Sequence, residues 1–139
     1  MANPLASVES YETFVYSLQH QYHQIKVSTL VFKRSGKLFG ELFGQLFFEG
    51  GVRIFVKERL DFKNNVIKGY GYEVWRGNEK LYWYDSQEHP NDPTLASTHP
   101  HHKHIPPDIK HHRIAAPGLS FDKPNLIFLI EEVINELLT

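Results

Sequence analysis

The sequence predicts an α+β protein: an antiparallel five-stranded meander with an N-terminal and a C-terminal helix, and a histidine- and proline-rich loop between the last strand and the C-terminal helix. Three observations predict it. Apolar residues recur at spacings of three and four near both ends of the chain, as on one face of a helix. Between those ends lie five stretches rich in Val, Ile, Phe, Tyr and Trp, divided by Gly- and Asn-bearing turns. Residues 85–113 then carry seven of the nine histidines and the prolines Pro90, Pro93, Pro100, Pro106 and Pro107, so neither a long helix nor a central strand is expected there.

Composition narrows the class. A chain of 139 residues fits one domain, 1–139. Its 41% apolar and 22% charged residues are those of an ordinary soluble protein. A formal net charge of −1 leaves no overall basic field for nucleic acid. Cysteine is absent, which excludes disulfides, thiol catalysis and cysteine-ligated zinc. The opening MANPLASVESYETF has no basic stretch followed by an apolar run, so no signal peptide is expected. No apolar run approaches the roughly 20 residues of a membrane span, so no membrane contact is expected.

Val8, Tyr11, Val15, Leu18 and Tyr22 predict an amphipathic helix over residues 8–20. Ser7 is its N-cap, and Glu9 and Glu12 suit the positive end of its dipole. The first strand covers residues 26–33 and ends at the turn Arg34, Ser35, Gly36. The second, residues 38–48, carries the repeat LFGE–LFGQ–LFFE. A period near four suits a helix, but Gly40 and Gly44 would each cost a helix about 0.8–1 kcal/mol relative to alanine. Aromatic richness favours a strand, with the glycines marking a bulge or a close approach.

Gly50 and Gly51 make a hairpin turn. The third strand, residues 52–61, alternates: Val52, Ile54, Val56 and Leu60 face one way, and Arg53, Phe55, Lys57, Arg59 and Asp61 the other. Glu58 falls on the apolar face. A turn at Lys63, Asn64 and Asn65 leads to the fourth strand, residues 66–75, with Tyr70, Tyr72 and Val74 opposite Gly69, Gly71, Glu73 and Trp75. Gly77 and Asn78 turn the chain into the fifth, residues 80–85. Near the end, Pro124 fits the first turn of a helix. Leu126, Leu129, Ile130, Val133, Ile134 and Leu137 form its apolar stripe, with Glu131, Glu132 and Glu136 toward water. Both helices are expected on one face of the sheet.

The chemistry is expected in the histidine-rich loop, because imidazole titrates near neutral pH. HPHHKH at residues 99–104 sets His101, His102 and His104 around Lys103, and Asp85, His89 and Arg113 flank it. Metal-free cleavage of an RNA phosphodiester needs a base for the 2′-OH, an acid for the leaving oxygen and a cation for the phosphate. The histidines supply acid and base, and Lys103 or Arg113 the cation. Tyr72 and Tyr84 could stack bases. Partial desolvation of Glu58 would raise its carboxyl pKa and suit it to proton transfer. No cofactor is expected, although the loop could take up a divalent metal weakly or adventitiously. Other readings stay open: a solvated connector, a pH-sensitive surface for a protein partner, and a histidine-metal nuclease.

Several segments together resemble the TumE-type toxin family of prokaryotic toxin–antitoxin systems. They are GGVRIFVKERLDF, GYGYEVWRGNEKLYWYDSQEHP, THPHHKH and the apolar C-terminal helix, over residues 25–138. The matching positions are Glu58, Tyr70, Tyr72, Tyr84, Asp85, His89 and the HHKH run at residues 101–104. The resemblance implies a small cytoplasmic toxin restrained by a cognate antitoxin, with RNA as the expected target. Edge strands of an open meander leave room for a homodimer.

Overall fold

Alternation of apolar and polar residues over residues 39–85 builds the centre of the molecule. The computed structural model describes residues 3–86, 101–106, 113–116 and 118–138. Its strands are β1 (Val27–Ser28), β2 (Val31–Ser35), β3 (Phe39–Phe47), β4 (Val52–Asp61), β5 (Val66–Arg76), β6 (Glu79–Asp85), β7 (His102–His104) and β8 (Arg113–Ala115). Helix α1 (Val8–Gln21) precedes them and α2 (Leu126–Leu137) follows. The sheet is antiparallel throughout, in the order β1, β3, β4, β5, β6, β7, β8, with β2 also paired to β3.

The expectation of five strands is corrected to eight among the described residues. The first expected strand is broken in two at Thr29 and Leu30, where the chain crosses Gly44 of β3. A Cβ on Gly44 would stand 2.5 Å from the Thr29 carbonyl oxygen, and Gly44 has φ +137°. The repeat in residues 38–48 is therefore a strand, with its second glycine at a close backbone approach. The other two strands, β7 and β8, lie inside the segment expected to be a loop, and β7 is internal, between β6 and β8. Three residues fit between Pro100 and Pro106 without placing a proline in the ladder.

Both helices cover one face. The Ser7 hydroxyl accepts from Ser10 N at 3.0 Å, and the Ser10 hydroxyl accepts from Ser7 N at 3.1 Å, capping α1 reciprocally. Val15 and Leu18 of α1 and Leu129, Ile130 and Val133 of α2 bury against Leu42, Leu46, Ile54, Val56, Ile67 and Val74 of the sheet. Asn125, not a residue of a proline-led first turn, is the N-cap of α2; its Oδ1 accepts from Ser120 N at 2.8 Å. Glu132 does not face water as expected: its side chain is 10% exposed and reaches the sheet. No helix among the described residues is long and apolar enough to cross a membrane.

Candidate functional site

Strand register assembles the site on the helix-free face. Directly paired residues in a sheet share a face, and pairing runs from Phe43 to Lys57, Gly71, Asp85 and His102 across β3, β4, β5, β6 and β7. The adjacent row holds Phe55, Glu73, Trp83 and His104. Glycine at 71 leaves a gap in the first row, with open space where a side chain would stand. At Gly69 the Arg59 guanidinium lies across the missing side chain, its nitrogen 2.7 Å from where a Cβ would be. The result is a trough of about 540 Å3 lined by Lys57, Arg59, Lys68, Gly69, Gly71, Asp85 and Ser86, with Tyr70 and Phe121 at one end.

Two imidazoles touch residues that line this trough, from opposite faces of the sheet. His104 Nε2 lies 3.0 Å from Asp85 Oδ2, and the His104 ring packs on Trp83 with centroids 4.2 Å apart. Burial pushes the Asp85 carboxyl up, but the hydrogen bond and charge of His104, with the charge of His102, outweigh it and hold the pKa below the usual range. The Asp85 carboxylate is thus fixed as an acceptor that orients its histidine. On the helix side, the Tyr70 hydroxyl and His101 Nδ1 are 2.5 Å apart. His101 also lies parallel to Tyr70 and against Phe121, at 5.7 and 4.5 Å between centroids. Burial, and then the Asp85 charge, push the Tyr70 hydroxyl far above its usual pKa, so it stays protonated. A ladder of cations and rings flanks the site: Arg53 lies 4.8 Å from Trp75, and Lys80 lies 5.4 Å from Trp75 and 4.1 Å from Trp83.

The remaining candidates from sequence fall elsewhere. Lys103 alternates with His102 and His104, so it faces the helices. Its Nζ is 3.4 Å from Glu132 and 4.4 Å from the Tyr82 ring. Tyr84 is buried on that same side and donates to Glu132 at 2.8 Å. Glu58 is 1% exposed, also on the helix side. The hydroxyls of Tyr11 and Tyr72 both donate to it, and Asn125 Nδ2 donates to the Tyr72 hydroxyl at 3.1 Å. Burial raises the Glu58 pKa to about 7, against the lowering effect of the two tyrosine hydrogen bonds. One carboxyl thereby joins α1, β4, β5 and the start of α2. Arg113 stands on β8 in register with His104. His89 lies outside the described residues, and among those described no three His, Asp or Glu side chains could hold a metal ion.

The structure thus brings Asp85, His102 and His104 to the helix-free face and leaves Glu58, Tyr72, Tyr84 and Lys103 behind the sheet, with His101 beside Tyr70 on that same far side. It adds Lys57, Arg59 and Lys68, which reasoning focused on the histidine segment passed over. Their signal was present: Lys57 and Arg59 share the polar face of one strand, and Gly69 and Gly71 share the matching face of the next.

Comparison with known proteins gives one match. No curated protein and no solved structure matches the chain. The family model described as Toxin TumE matches residues 11–138, from the first turn of α1 through the residue after α2. Since that span takes in every strand and the whole trough, the chain belongs to the TumE toxin family.

Proposed function

We propose that this toxin is a ribonuclease whose active site is the trough between Lys57 and Asp85. Membership of a toxin family implies an antitoxin partner; the chemistry is our reading. The observation that carries it is the Asp85–His104 pair at 3.0 Å beside a glycine-floored, cation-lined gap. The His104 imidazole, oriented by Asp85, takes the proton from a ribose 2′-OH. The 2′-oxygen attacks phosphorus, the bond from phosphorus to the 5′-oxygen breaks, and the protonated His104 returns its proton to that oxygen. Lys57 and Arg59 hold the phosphate and stabilise the charge that develops on it. No metal is required by this scheme, and no cofactor is invoked.

The test is induced expression in a bacterial host, with total RNA followed over time, for the wild type, His104→Ala, Asp85→Asn and Gly71→Phe. Loss of a general acid or base slows cleavage by about a hundred- to ten-thousand-fold. Gly71→Phe fills open space rather than core, so it should block RNA loss while the protein stays folded by circular dichroism. RNA loss at the wild-type rate in all three variants would overturn the proposal.

A second reading has its own support. His102 and His104 are 0% and 2% exposed, which suits a strap that closes the sheet in a protein acting only by binding. Growth arrest with intact RNA would favour it.

A further inference from the structure

Beyond the trough, the helix-free face continues over β3 and β4 as a row of exposed rings. Phe43 is 44% and Phe55 is 38% exposed. Phe43 pairs with Lys57, and Phe55 is two residues from Lys57 on the same strand face. The two tryptophans on this face are already occupied: Arg53 and Lys80 lie against Trp75, and Lys80 and His104 against Trp83. The phenylalanine rings are the ones left open to a ligand.

We infer that single-stranded RNA lies across the strands, with a base stacked on Phe43 or Phe55 and its phosphate passing Lys57 and Arg59 into the Gly71 gap. This rests on the ribonuclease reading and names the substrate's path. Two features choose RNA over a protein partner. Neither Lys57 nor Arg59 has an ion pair among the described residues, so each keeps its charge for an incoming anion. Protein–protein interfaces are depleted of lysine, whereas rings interleaved with cations are what a polyanion with flat bases needs. Spacing agrees: neighbouring strands are about 4.8 Å apart, so Phe43 and Asp85, three strands away, are separated by roughly 14 Å. That separation lets one ring hold a base flanking the bond at Asp85 and His104. A duplex would have its bases paired and stacked on one another, so the rings could not engage them.

The experiment uses the full chain carrying Asp85→Asn, and a fluorescent single-stranded RNA of mixed sequence, read by anisotropy. Adding Phe43→Ala or Phe55→Ala should weaken binding by about five- to a hundredfold, and Phe43→Trp should preserve it. The same RNA annealed to its complement should bind more weakly than the single strand. Unchanged affinity in both alanine variants overturns the path. So does a wild-type dimer that either alanine variant converts to monomer, which would make the face a self-association surface. Failure of the two readings is distinguishable. Cleavage with alanine variants at full affinity removes the path and keeps the ribonuclease. Ring-dependent binding with no RNA loss in cells keeps the path and removes the ribonuclease.

Discussion

Glu58 ties folding to pH on the helix side. Its folded pKa of about 7 lies above the ordinary 4.5. The folded protein therefore holds a proton that the unfolded chain releases, and stability from this group is fully present below about 4.5 and lost as pH rises toward 7. Each pH unit in that window is worth about 1.4 kcal/mol. Glu58→Gln keeps an acceptor for one tyrosine and cannot ionise. The difference in urea stability between wild type and Glu58→Gln should thus fall from pH 5 to pH 7 and level off above it; a flat difference would mean Glu58 titrates normally. The carboxyl's burial was legible from its place on the apolar face of an alternating strand. Its partners Tyr11 and Asn125 were not, because they come from elements 47 and 67 positions away whose docking the local pattern does not specify. Lys103 was misread for a related reason. Within HHKH it looks like one of a cluster, but once the segment is a strand, period-two alternation sends it to the opposite face from His102 and His104.

Among the elements, β3 is the one whose position depends on a glycine. Gly44→Ala must place a methyl 2.5 Å from the Thr29 carbonyl at a φ that alanine disfavours, and should cost about 2–4 kcal/mol. Gly71→Ala meets nothing within 4 Å and has no positive φ. It should be neutral, or stabilise by up to about 1 kcal/mol. Comparing urea midpoints of the two variants checks both, and equal effects would contradict the register described for β2 and β3. The sequence made β3 to β6 and both helices readable because each is long enough for its period to repeat. β7 and β8 are three residues each, too short for alternation to register, and they sit among prolines that argue against strands. Their existence depends on a partner strand already being in place.

At the level of the whole molecule, a protein of net charge −1 cannot draw RNA by its overall field, so on the ribonuclease reading proposed above attraction comes from the few cations at the trough. Three phosphate contacts, at Lys57, Arg59 and Lys68, give a slope of about −2 for log affinity against log salt with a single strand, and Lys57→Ala should lower its magnitude by about 0.7. A much steeper slope would place the binding surface elsewhere. The two faces of the sheet also carry different residues at alternate positions of the same strands: Ile54, Val56 and Glu58 are buried in the core, while Phe55, Lys57 and Arg59 lie on the face of the proposed site. Damage to one set is not damage to the other. In a lineage whose restraining partner has been lost, survival favours disarming the toxin, and that can happen one residue at a time without misfolding. Such lineages should retain well-folded, soluble relics, altered at odd-numbered positions of β4 and intact at even ones.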